Sequence, residues 1–119
     1  MMDFDDPDLG RLLEGASDTD LDGEDFGVVR MDRSGAVAFY NRYESDLSGL
    51  SPERVVGRHF FEDVAPCTNN FMVAERFAEE SLDEQLDYVF TYRMRPTKVR
   101  LRLLKPLVGV YQYLLVRRR

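Results

Sequence analysis

The chain has 119 residues, 44% of them hydrophobic, which is enough for one domain with a real core and too few for two. One cysteine and one histidine exclude a disulfide scaffold, and they leave too few such ligands for a zinc site. The net charge of −6 is uneven: residues 1–25 hold ten acidic side chains against one arginine, and the other 94 hold twelve acidic and fifteen basic ones.

No apolar run approaches the ~20 residues needed to span a bilayer. The acidic opening "MMDFDDPDLG" is the opposite of a secretory leader. The excess of basic over acidic side chains beyond residue 25 is small, fifteen against twelve. We therefore expect a cytoplasmic protein with no membrane or nucleic-acid partner.

In chain order, "DDPDLGRLLEG" predicts a short helix with Asp6 as N-cap, Pro7 at the first helical position and Gly15 as stop. Leu9, Leu12 and Leu13 give it one apolar face. The following "ASDTDLDGED" reads as a loop. Residues 1–25 thus form an acidic cap segment ahead of a core over 26–119. "FGVVRM" and "AVAFYN" are two strands joined by the turn "DRSG". A helical region over 42–64 is broken by Gly49 and Gly57, and "SPERVVG" within it has Ser51 as N-cap and Pro52 at the first position. After Cys67, "NNFMVAERFAEESLDEQL" predicts a helix capped by an asparagine, with Phe71, Ala74, Phe77 and Ala78 on one face.

The last third alternates as strands do. "DYVFTYRM", "TKVRLRLLK" and "VYQYLLVRR" complete the order two strands, helices, three strands. The fold class is α+β: an antiparallel sheet with helices on one face. The stripe Lys98, Arg100, Arg102 points away from the core-directed Val99, Leu101 and Leu103. A solvated face is the common case, but opposite charge and an apolar stripe favour the N-terminal segment docking there.

Two places carry candidate chemistry. Cys67 sits in "DVAPCTNN", a turn-like setting that a structural thiol would avoid. As an enzyme nucleophile it lacks a base, because the one histidine, His59, borders two phenylalanines in "GRHFFED" and reads as packing or surface. In "AFYNRYESDLSGL", Tyr40 ends a strand and Glu44 follows by four residues, a spacing that can aim a phenol and a carboxylic acid into one pocket. Spacing alone equally describes a core tyrosine and a surface glutamate.

The blocks "LDGEDFGVV", "FYNRYESDLSG", "VVGRHFFEDVAPCTNN" and "FTYRMRPTKVRL" together resemble the photoactive yellow protein family, blue-light sensors with the PAS fold. The resemblance runs from about Leu21 to Arg119. It implies a central antiparallel sheet, helices on one face and an N-terminal helical cap on the other. It also implies a non-enzymatic photoreceptor in which Cys67 holds p-coumaric acid as a thioester. Tyr40 and Glu44 match the pair that hydrogen-bonds the phenolate, Ser48 stands where a supporting threonine is usual, and Met94 matches the methionine that assists return to the resting isomer. Phe60, Phe61 and Phe90 would line the pocket. Leu50 replaces an arginine of the family's prototype, and the stretch from Cys67 to Met94 is a few residues shorter than expected.

The implied mechanism is trans–cis photoisomerisation, proton transfer from Glu44 and partial unfolding. A phenol with pKa ~10 is ionised at neutral pH only with strong help, which Tyr40 and a protonated Glu44 would supply. The expected partner is an unidentified downstream signalling protein, and the expected state is a monomer. A light-independent PAS-like sensing or interaction module is the alternative reading.

Overall fold

The computed structural model describes residues 1–91 and 95–119. A five-stranded antiparallel sheet runs in the order β2-β1-β5-β4-β3. Its strands are β1 (Gly27–Asp32), β2 (Val37–Tyr40), β3 (Leu82–Phe90), β4 (Thr97–Lys105) and β5 (Tyr111–Arg118). The first and last strands in sequence lie side by side at the centre, with Val29 opposite Leu114. The β1–β2 turn closes through Gly35 at φ 96°, a left-handed conformation that excludes most side chains.

Strand alternation divides the sheet into two faces, each with its own core. On one, Val29, Leu101, Leu103, Leu114 and Val116 pack under the connection from β2 to β3. That connection holds α3 (Arg42–Ser48), α4 (Pro52–Val55), a wide π turn over Phe60–Val64 and two 3-10 turns, Pro66–Thr68 and Ala74–Ala78. On the other, Val28, Leu104, Tyr113 and Leu115 pack against Phe4, Leu9, Leu13 and Leu21 of the N-terminal segment. That segment carries α1 (Leu9–Glu14) and α2 (Asp18–Asp22). The chain has helices over one face of the sheet and a helical cap on the other.

Three local expectations need correction. The first helix starts after Asp8 rather than Asp6, and Leu12 is only half-buried beside the buried Leu9 and Leu13. The stretch read as a loop contains α2, closed by a reciprocal capping box between Ser17 and Asp20. The helix expected after Cys67 is one 3-10 turn: Asn70 Oδ1 caps the N–H groups of Met72 and Val73, but Phe71 is 74% exposed and strand β3 begins at Leu82. The pairing of Leu82 through Phe90 with Lys105 through Thr97 claims residues that helical periodicity had assigned elsewhere.

Candidate functional site

Asn41 organises the site from its N-terminal side. It is fully buried and caps α3: its Oδ1 accepts from the backbone N–H of Glu44 at 3.1 Å and from that of Val28 at 2.9 Å. Its Nδ2 donates to the carbonyls of Leu21 and Phe26, both at 2.9 Å. One side chain thus ties α3 to β1 and to the end of α2. Gly49, in the left-handed conformation at φ 77°, ends the helix at its other end.

Glu44 sits in the first turn of this helix with no solvent exposure. Neither carboxyl oxygen has a hydrogen-bond partner among the described residues. Burial alone raises its pKa from the ordinary 4.5 to about 8, so at neutral pH the group is mostly a neutral acid with a proton to donate. The residue is not the surface glutamate that spacing alone allowed.

Tyr40, at the end of β2, is fully buried, and its hydroxyl donates to Ser48 Oγ at 2.8 Å. Ser48 Oγ also accepts from the backbone N–H of Leu50 at 3.2 Å. Tyr40, Phe60, Phe61 and Phe90 belong to one apolar cluster, with Cys67 and Leu50 packed at its edge. Phe60 and Phe61 meet edge-to-face with centroids 5.3 Å apart.

Cys67 lies in the 3-10 turn that Pro66 opens, and it is a half-buried free thiol. Its carbonyl is held twice, by the hydroxyl of Tyr88 at 2.6 Å and by Asn70 Nδ2 at 3.1 Å. Asn70 also donates to the Tyr88 oxygen at 2.7 Å, which closes a three-membered network between the turn and β3. His59 caps the π turn, its Nδ1 accepting from the N–H of Glu62 at 3.2 Å. Met94 lies outside the described residues.

Asn41, Asn70, Tyr88 and Gly27, which packs against Glu44, escaped sequence reasoning. Asn41 left a signal, an asparagine directly before a helix and three residues ahead of its glutamate, and the asparagine pair after Cys67 signalled a cap but not its bond to the Cys67 carbonyl.

A sheet of this order, with a helical connection on one face and a helical cap on the other, defines the PAS fold. The PAS domain of an HTR-like protein from Haloarcula marismortui shares the fold, with a TM-score of 0.67 at 18% identity over 86% of this chain and 93% of that one. No family model matches the chain. The photoactive yellow protein of Halochromatium salexigens is 40% identical over 119 residues, which is 97% of this chain and 95% of that protein. That of Rhodothalassium salexigens is 34% identical over 99% and 98% of the two chains. The photoactive yellow protein domain of the sensor histidine kinase Ppr from Rhodospirillum centenum superposes with a TM-score of 0.84 at 37% identity, covering 92% of this chain and 99% of that one. The chain belongs to the photoactive yellow protein family.

Proposed function

We propose that the protein is a blue-light receptor carrying p-coumaric acid as a thioester on Cys67. The observation that carries this reading is Glu44, a fully buried carboxyl group whose two oxygens lack any partner among the described residues. Such a group costs stability unless something else satisfies it. A neutral acid in the first turn of α3 and a buried phenol at the end of β2, the latter clustered with Phe60, Phe61 and Phe90, make a donor set suited to an aromatic oxyanion. Cys67, at the edge of the same cluster, offers a thiol for attachment.

When bound, the p-coumaroyl group would supply a photoisomerisable double bond and an ionisable phenol. The chain's residues do the rest. Tyr40 and Glu44 donate to the oxyanion, with Ser48 orienting Tyr40, and Met94 assists the return to the dark state. After light, Glu44 would pass its proton to the phenolate oxygen of the bound group and become a buried carboxylate without a counter-ion, which typically costs several kcal/mol. A domain of this size is stable by only ~5–15 kcal/mol in all, so the least stable unit opens. Residues 1–25, treated as a cap unit on a 26–119 core, are that unit.

The protein is then a signalling module rather than an enzyme, a cytoplasmic monomer whose output goes to a signalling protein. The test is an absorption spectrum after treatment with activated p-coumaric acid, with Cys67→Ala as control. A blue-absorbing band that bleaches under blue light and recovers in the dark is expected, and C67A should stay colourless. Wild-type protein that takes no acyl group on Cys67 would instead be a light-independent PAS module.

A further inference from the structure

The sheet face under the N-terminal segment has a polarity that the photoreceptor reading does not use. Every hydrogen bond across this boundary, among the described residues, runs from a donor on the body to an acceptor on residues 1–25. Arg102 Nη1 donates to the carbonyls of Phe4 and Asp6, both at 2.8 Å. Arg30 Nη2 donates to the Leu13 carbonyl at 2.6 Å and to that of Ala16 at 3.4 Å. Arg117 reaches Asp5 at 3.2 Å and lies over the Phe4 ring at 4.5 Å. Gln85, Asn41 and the N–H of Arg42 add donors to Asp5, Leu21 and Asp22.

The two innermost cations are unusual for a sheet surface. Arg30 and Arg102 are 8% and 2% exposed. Arg102 shares Asp83 of β3, its Nε 2.9 Å from that carboxylate, but Arg30 pairs with no carboxylate among the described residues. Its guanidinium instead lies 4.9 Å from the Tyr111 ring centre and 5.6 Å from that of Tyr113, and it ends on the carbonyls of Leu13, in the last turn of α1, and of Ala16 just beyond that helix. Between these cations lies an apolar floor, with Val28, Leu104 and Leu115 meeting Leu9, Leu13 and Leu21 from above.

The covering segment is poorly able to hold its own shape. Its helices are six and five residues long, well short of the ~12–15 residues at which an isolated helix becomes even marginal. The face therefore selects its ligand by chemistry: leucines on one side, acidic side chains, and backbone carbonyls turned towards the sheet.

We propose that this face is a receptor surface for an acidic, leucine-bearing helical segment of a partner protein. Residues 3–22 are its built-in competitor. The proposal does not depend on the trigger, so it stands whether light or another signal frees the segment. An occupied receptor shows an apparent affinity reduced by the fraction of molecules that are open, so loosening the competitor raises affinity for a partner of the same kind.

The experiment uses the full chain and a labelled synthetic peptide of residues 1–25 as probe, read by fluorescence anisotropy. Leu9→Ala with Leu13→Ala should bind the peptide more than about tenfold tighter than wild type does. Adding Arg30→Gln and Arg102→Gln should abolish that gain, and a peptide of equal charge with its leucines replaced by serine should not bind. The proposal is overturned if the loosened chain, with its sheet intact by circular dichroism, binds neither peptide or binds both alike. It is also overturned if that chain pairs with a second copy and excludes the peptide. Should the double variant not fold, Phe4→Ala replaces it, and no gain in affinity there overturns the proposal equally.

Discussion

Gly27 lies directly against Glu44: a Cβ at position 27 would stand 3.1 Å from Oε2 and 3.3 Å from Cβ of Glu44, and 3.2 Å from Val116 Cβ. Gly27 does not adopt positive φ, so contact rather than backbone conformation is what a side chain there would disturb. The carboxyl end of Glu44 is the easiest of the three to displace. Gly27→Ala should therefore leave stability within about 1 kcal/mol of wild type, because reduced freedom in the unfolded chain offsets the crowding. The same change should shift the absorption maximum of protein acylated on Cys67. Urea unfolding and a spectrum check both halves, and an unmoved band would mean that the floor beneath Glu44 does not set its position.

Glu44 also makes stability depend on pH before any ligand is attached. Its folded pKa, about 8, lies above the ordinary 4.5, so between those values the unfolded chain has released a proton that the folded chain still holds. Stability is greatest below the lower value and falls as pH rises towards the upper one. At about 1.4 kcal/mol per pH unit the loss is on the order of 4 kcal/mol across the window. Asp5, Asp8, Asp32 and Asp87 are shifted below the usual 3.8 by hydrogen bonds, so their contribution is lost at more acid pH and does not overlap. Urea titrations of the unacylated chain at pH 5, 6, 7 and 8 should show the decline, and Glu44→Gln should flatten it. A wild-type curve as flat as that of the variant would place the carboxyl in contact with water.

The parts of this fold that were legible in sequence are those where local chemistry and tertiary packing agree. Gly35 and Gly49 both take the positive φ that their turns require, and Val99, Leu101 and Leu103 alternate into the core as their spacing predicts. The segment after Cys67 failed because two periods compete there. Phe71, Ala74, Phe77 and Ala78 fit a helix, yet only Phe77 of the four is fully buried, and the ladder with β4 takes over from Leu82. The grouping of Cys67, Tyr40 and Glu44 into one site rests on the resemblance. Tyr40 and Glu44 four residues apart do not reveal that the carboxyl is sealed from water. The contacts of Asn70 and Tyr88 to the Cys67 carbonyl span 3 and 21 residues and leave no local pattern.

Asn41 links four backbone groups across three elements, and its donors and acceptors can be tested separately. Asn41→Asp keeps the oxygen that accepts from Val28 and Glu44 but turns a donor to the Leu21 and Phe26 carbonyls into an acceptor facing them. Asn41→Ala removes all four bonds and the helix cap, which alone is worth about 1 kcal/mol. Each buried group left unpaired adds about 1–3 kcal/mol. Alanine should thus cost at least about 3 kcal/mol. Aspartate should remain folded but speed hydrogen exchange around Leu21, with the α3 amides less affected. Equal exchange in both regions would mean that the cap and α3 open as one unit.

The turn bearing Cys67 offers the last test, because its carbonyl is fixed by two polar groups, the Tyr88 hydroxyl and the Asn70 amide. Tyr88→Phe deletes the 2.6 Å bond to that carbonyl and the acceptor for Asn70, while the ring keeps its edge-to-face contact with Phe90 at 6.1 Å. The network is half-buried, so the stability loss should be modest, about 1 kcal/mol. Mobility of the turn should increase more than stability falls. The half-buried thiol should then react faster with an aromatic disulfide reagent, under conditions in which global unfolding is too rare to contribute. Asn70→Ala removes the second bond to the carbonyl and the cap on Met72 and Val73, so its effect on thiol reactivity should exceed that of Tyr88→Phe. If neither variant changes the rate, Pro66 and the 3-10 turn it opens hold Cys67 without help from β3.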